Sequence, residues 1–243
     1  MSASQSGGSR TLSRGLSVIR SLGASADGAT VAELAAATEL DRAVLYRLLE
    51  TLEAAGFVVR DEETRRFHLG VALVELGARA GRSLEVRKLA LSGMRLLMEQ
   101  CREVVCLAVR DRGDVVIVDR VEPANLFIRV GYHIGFRHSL TVGAHGRALL
   151  AFADLDDRAA LPAALRGELD ATRARGFGVS SDELERGAAG VAAPIFDRGG
   201  RPIASVGIVA PSPRLPDPAG HGLRVRAVAT EISRRLGYSP DGP

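Results

Sequence analysis

The chain has 243 residues, with 32 basic against 29 acidic side chains and 46% apolar residues. That length holds one large domain or two modest ones and can bury a substantial core, and the balance excludes wholesale disorder. All the cations but Lys88 are arginine; alongside abundant Ala, Gly and Val this fits GC-rich coding, so arginine number alone argues for no partner.

The opening MSASQSGGSR is polar with no apolar segment behind it, so no signal peptide is expected. No run approaches the roughly 18 uninterrupted apolar residues of a membrane span. Two cysteines, Cys101 and Cys106, are too few for a multi-bridge scaffold or four zinc ligands. The expectation is a cytoplasmic, reduced protein without a membrane partner, a metal or a cofactor.

Leu12, Leu16, Ile19 and Leu22 recur at helical spacing and predict a first helix over residues 11–22. Residues 23–28 are a loop by composition. Thr30 and Glu33 form a capping box opening a helix over 31–38, and Glu39-Leu40 makes a tight connection. Asp41 is the expected N-cap of a third helix that runs to Ala54 and stops at Gly56. Helix, short turn and longer helix is the helix-turn-helix pattern.

On the third helix Leu45, Leu48, Leu49 and Leu52 form the apolar side, while Arg42, Ala43, Tyr46, Arg47 and Glu50 share the opposite face. Both arginines and the tyrosine lie in the N-terminal half, where a recognition helix meets base edges and phosphates. Residues 57–60 and 65–69 read as two short strands around the turn Asp61-Glu62-Glu63-Thr64, a wing whose Arg65 and Arg66 face phosphate. Bulk charge does not carry this reading: Met1 to Gly70 holds eight Arg against nine Asp plus Glu, a net of −1.

Residues 71–101 are predicted mostly helical, with an interruption at Gly81. Residues 104–110 and 115–121 flank the turn Asp111-Arg-Gly-Asp114, and 126–130 is a further strand. Residues 148–152 and 157–175 are helical, and 189–196 and 202–210 flank a second turn, Asp197-Arg-Gly-Gly200. Antiparallel pairs with helices between them indicate an α+β domain. His133, His138 and His145 cluster in sequence, but no catalytic or metal motif accompanies them. Cys106 alternates with Val104 and Ala108 and reads as a small core or pocket residue.

These motifs carry a resemblance. Gly15-Leu16, Val31-Ala-Glu-Leu34, Tyr46-Arg47-Leu48-Leu49-x-Thr51-Leu52-x-x-x-Gly56-Phe57-Val58 and Phe67-x-Leu69-Gly70 resemble the DNA-binding domain of the IclR family of bacterial transcriptional regulators. Gly146-x-Ala148-Leu149-Leu150-Ala151, Arg173-x-Arg175-Gly176-Phe177, Glu183-x-x-x-Gly187, Val191-Ala192-Ala193-Pro194 and Ile232-Ser233-x-x-Leu236-Gly237 continue it in the family's order.

The resemblance implies a winged helix-turn-helix domain over residues 10–71. It also implies a linker helix and GAF-like effector-binding domain over 72–243, with a curved antiparallel sheet. It implies double-stranded DNA with a pseudo-palindromic operator as partner, a small-molecule effector, and a homo-oligomer, either a dimer or a dimer of dimers. Repression is favoured over activation, and no catalysis is expected. DNA-contacting residues would be Arg42, Ala43, Tyr46, Arg47, Arg65 and Arg66, with Ala43 offering a methyl group where the family usually has a hydroxyl nearby. The effector site would comprise Cys106, Thr141, Gly143, Ala144, Ser180, Gly190, Gly207 and Val209, with backbone N–H groups at 141–144 still available.

Relatives that sense small organic acids use more polar groups at those strand positions, so an aromatic or less polar effector is expected here. The alternatives are a ligand-independent regulator, a redox regulator acting through Cys106, and an enzyme with an appended DNA-binding module.

Overall fold

The computed structural model describes residues 9–83, 85–124, 132–153 and 161–239. The chain divides into two compact units, Met1–Ser83 and Leu84–Pro243.

The first unit begins with α1 (Arg10–Gly23), whose start is capped by the Ser9 hydroxyl. Next comes α2 (Val31–Thr38), opened by the capping box: Thr30 Oγ1 accepts from the Glu33 N–H, and the Thr30 N–H donates to Glu33 Oε2 at 2.7 Å. Glu39 ends α2 in the left-handed region (φ 56°), the tight turn that directs α3 (Arg42–Ala54) away from it. Leu45 and Leu49 of α3 close a core with Val18, Leu22 and Leu34.

The hairpin β1 (Val58–Arg60) and β2 (Phe67–Leu69) seals that core with Val58 and Phe67, and Ala29 bridges to Phe67. The return strand is shorter than expected, because Arg65 takes a left-handed turn conformation (φ 57°) and regular pairing begins at Phe67. Gly70 is required by close approach: a Cβ there would lie 2.2 Å from the Gly56 carbonyl oxygen. Helix α4 (Val71–Ser83) runs through Gly81, where the sequence pattern predicted an interruption. It falls within the first unit, whereas the sequence reading divides the chain at residue 71.

The second unit contains α5 (Glu85–Cys101), β3 (Val104–Asp111), β4 (Asp114–Val121), β5 (Arg137–Ser139) and α6 (Gly143–Phe152). It continues with α7 (Ala163–Arg175), β6 (Gly178–Ser181), β7 (Ala188–Phe196), β8 (Pro202–Pro211) and α8 (Pro218–Arg235). The described strands form one antiparallel sheet in the order β5-β4-β3-β8-β7-β6. Both predicted turns lie between paired strands. The strand predicted over 126–130 lies outside the described residues.

Period-two alternation divides the sheet. Val105, Leu107, Val191, Ala193, Val206 and Ile208 face one way, against Val86, Ala90, Met94 and Leu97 of α5 and Val225, Ala229 and Ile232 of α8. Val104, Cys106, Ala108 and Val209 face the other way, with Leu149 and Leu150 of α6 in the same cluster. Burial on both faces explains the near-continuous apolar runs of β7 and β8. Helix α8 has no counterpart in the sequence reading, because Gly220, His221 and Gly222 interrupt its apolar period near the start.

Candidate functional site

In the first unit α3 presents Arg42, Ala43, Tyr46, Arg47 and Glu50 to solvent, as their spacing predicts. Tyr46 is 56% exposed, so its ring is a free surface group rather than core. Asp41 occupies the N-cap position, but its side chain makes no capping hydrogen bond. The first amide groups of α3 are therefore not capped by Asp41. Arg47 lies beside the α1 edge of the helix, where it lines a hollow of about 260 Å³ with Arg14, Val44 and Thr51. Arg14 is a candidate the sequence does not single out, since only the α1–α3 packing brings its exposed side chain next to Arg47.

The wing turn is built on Asp61, whose Oδ1 accepts from the N–H groups of Glu63 (2.8 Å) and Thr64 (3.0 Å). Those backbone bonds, led by Thr64, hold the Asp61 carboxyl below its ordinary range. Arg65 is exposed at the turn. Arg66 departs from expectation: its guanidinium does not project outward. It pairs with Glu33 Oε2 at 2.9 Å and donates to the carbonyls of Asp27 (3.0 Å) and Gly28 (3.1 Å). The bridge between Ala29 and Phe67 brings Arg66 beside the α2 capping box, so the residue ties the wing to α2. Arg60, on the outgoing strand, stacks over Phe67 at 5.7 Å.

In the second unit the sheet register places the effector candidates in two adjacent rows on one face. Ser180, Gly190, Val209 and Val104 are consecutive cross-strand partners. Gly178, Ala192, Gly207 and Cys106 form the next row. Their local roles differ. A Cβ on Gly207 would lie 2.7 Å from Ala192 Cβ, so this glycine answers a packing demand within the sheet. A Cβ on Gly190 would meet Ser180 Oγ at 3.3 Å and Ala144 Cβ at 3.5 Å, which shows α6 seated close on the strands. Cys106 and Val209 instead belong to an apolar cluster with Tyr132, Leu140 and, at its edge, Leu184. Thr141 is exposed.

The start of α6 also differs from expectation. The Gly143 N–H is not available: it donates to Glu183 Oε2 at 3.1 Å. Arg147 holds the same carboxylate through Oε1 at 2.6 Å and donates to the Val179 carbonyl at 2.9 Å. Glu183 thus caps α6 from the segment after β6. Tyr132 is the residue sequence reasoning missed. It is buried, stacks on Phe136 at 4.6 Å, and burial raises its phenol pKa. Its loop carries no periodic signal that would mark it.

The clustered histidines serve different ends. His133 is exposed, and His138 Nδ1 donates to the Ser139 carbonyl at 3.0 Å. His145 is buried with Nδ1 2.8 Å from Ser205 Oγ, and burial pulls its pKa down to about 3. Cys106 is fully buried, and burial pushes its thiol up to about 12. A protonated, fully buried thiol is neither an activated nucleophile nor an accessible redox sensor. Among the described residues no group of three or more His, Cys, Asp or Glu is placed to hold a metal ion, and no helix is long and apolar enough to cross a membrane.

Comparison with known proteins matches this two-part architecture to two family models. Residues 11–62 match the IclR helix-turn-helix domain, and residues 78–234 match the bacterial transcriptional regulator IclR C-terminal domain. The chain belongs to the IclR family. It is 28% identical over 226 residues to the HTH-type transcriptional regulator KdgR of Escherichia coli, covering 86% of each chain. It is 27% identical over 251 residues to the HTH-type transcriptional repressor AllR of Klebsiella pneumoniae, covering 96% of this chain and 92% of AllR. The crystal structure of Thermotoga maritima IclR superposes with a TM-score of 0.73 at 27% identity, covering 94% of this chain and 99% of that one. As an IclR-family protein the chain is a DNA-binding transcriptional regulator with an effector-binding domain, and not an enzyme.

Proposed function

We propose that this regulator is a repressor, as AllR is, and that a homo-oligomer of it reads the half-sites of a pseudo-palindromic operator in the cytoplasm. Arg42, Tyr46 and Arg47 contact base edges and adjoining phosphates, and Ala43 offers a methyl-sized contact to a thymine methyl. Arg65 at the wing turn reaches the phosphate backbone, while Arg66 holds the wing in place through Glu33. An effector alters operator affinity by binding the DNA-competent and DNA-incompetent states unequally.

The effector is an aromatic or other weakly polar molecule lodged beside Tyr132, Cys106, Val209 and Leu184. One observation carries this reading. The amide at the start of α6 already receives the carboxylate of Glu183, so a small acid finds that donor occupied and an apolar wall beside it. Desolvating a small carboxylate there would lack a compensating hydrogen bond.

Calorimetric titration of the full chain with benzoate and phenol-type ligands against glyoxylate and pyruvate tests it. Aromatic ligands are expected to bind at least tenfold more tightly. Tight binding of glyoxylate or pyruvate with none for the aromatics would refute the assignment.

A further inference from the structure

We infer that His138 and His145 form a hydroxyl-binding pair at the effector site, in which His145 donates to the effector's hydroxyl oxygen and that hydroxyl donates to His138. Resting on the aromatic-effector proposal above, the pair narrows the ligand class to phenols.

His145 stands in the first turn of α6 and is buried, with Nδ1 2.8 Å from Ser205 Oγ on the sheet below. His138 lies on β5 opposite Val115, and its Nδ1 donates to the Ser139 carbonyl at 3.0 Å. The His138 ring borders the start of α6: a Cβ on Gly143 would stand 3.4 Å from His138 Cε1. Each ring thus has one nitrogen engaged. The other, Nε2, is buried on both residues and has no hydrogen-bond partner among the described residues. Buried polar atoms are nearly always paired, so two orphans from neighbouring elements call for a group from outside.

The engaged nitrogens decide what that group is. A carbonyl only accepts, so His138 Nδ1 carries a hydrogen; burial keeps this imidazole neutral, and its Nε2 is a bare acceptor. Ser205 Oγ makes no other hydrogen bond among the described residues, so its hydrogen goes to His145 Nδ1. Burial holds His145 neutral as well, and its ring hydrogen then sits on Nε2. One orphan is a donor and the other an acceptor. They are near enough for a charge on His138 to be felt at His145, yet they do not bond to each other. A hydroxyl both accepts and donates, and so satisfies the two at once. A carboxylate or an ether has no hydrogen for His138, and a methyl group serves neither.

Phe136 joins this pair to the apolar wall. Its ring stacks on Tyr132 at 4.6 Å and lies 6.0 Å from the His138 ring. Leu184 covers the same edge of α6, where a Cβ on Gly143 would stand 2.8 Å from its Cδ1. An aromatic ring that displaces Leu184 and lies against Phe136 brings its hydroxyl to the two nitrogens. With Leu184 in place both nitrogens stay unpaired, so a phenol favours the opened state, which is the unequal binding an effector requires.

Calorimetric titration of the full-length chain near neutral pH with phenol, anisole, toluene and benzoate tests the pair, on wild type and on His145→Leu. Phenol is expected to bind wild type at least about tenfold more tightly than the other three, because a site built for a hydroxyl rejects analogues that lack it. His145→Leu should lose about tenfold or more for phenol and little for toluene. Anisole, toluene or benzoate binding wild type as tightly as phenol would overturn the hydroxyl pair and leave the aromatic-effector proposal standing. An equal loss for toluene in His145→Leu would show that the imidazole only fills space, and would also overturn it. If no aromatic binds, both proposals fall. The ligand series on wild type decides the matter even where His145→Leu does not fold.

Discussion

At the residue scale the two wing arginines separate by their partners. Arg66 is held by Glu33 and two backbone carbonyls, whereas Arg65 is exposed on the turn. Replacing a phosphate-contacting cation lowers the salt dependence of DNA binding by about one unit of slope. Arg65→Ala should therefore reduce that slope by about 0.9. Arg66→Ala should leave the slope nearly unchanged while lowering the melting temperature of the winged unit. Equal slope losses in the two variants would show that Arg66 leaves Glu33 to reach DNA.

The capping box of Thr30 and Glu33 was legible because its members lie three residues apart and the chemistry is local. The engagement of Arg66 was not, because Glu33 is 33 residues away and only the pairing of Ala29 with Phe67 brings them together. Cys106 shows the same asymmetry. Alternation marks it as an inward residue, but its complete burial depends on Tyr132 and on Leu149 and Leu150 of α6, which join it in one cluster over that face of the sheet.

At the element scale, hairpins and short amphipathic helices were legible from turn residues and periodicity. The limits of α2 coincide with the expected ones because a capping box starts it and a left-handed residue stops it. Strand β5 is three residues long and β6 four, too short for alternation to register, and the glycines near the start of α8 conceal its helical period.

The same packing logic revises the effector site. Gly207 is among the expected effector-site residues, but its missing side chain makes room for Ala192 of the adjacent strand. Gly207→Val should therefore destabilise the second unit by about 1–3 kcal/mol through overpacking. Its calorimetric transition should fall while that of the winged unit stays in place. A stable Gly207→Val protein with altered effector affinity would instead mark this position as ligand-facing.

At the scale of the whole molecule, a net charge of +3 on 243 residues conveys little, and the first seventy residues are close to neutral. The proposed recognition rests on arrangement: Arg42, Tyr46 and Arg47 occupy one exposed face of α3, with Arg14 beside Arg47, while the carboxylate of Glu33 is paired with Arg66. The family was legible because its motifs recur in order along nearly the whole chain. The effector site was only partly legible, because strand register decides which small residues pack against each other and which border Tyr132.

The exposed face of α3 is the proposed reader of the operator. Fluorescence anisotropy of the full-length chain on a DNA fragment selected from its own genome, wild type against Arg47→Ala, tests it most directly. At least a tenfold loss of affinity with an unchanged melting temperature is expected. Equal affinity of the two proteins for that fragment would contradict it.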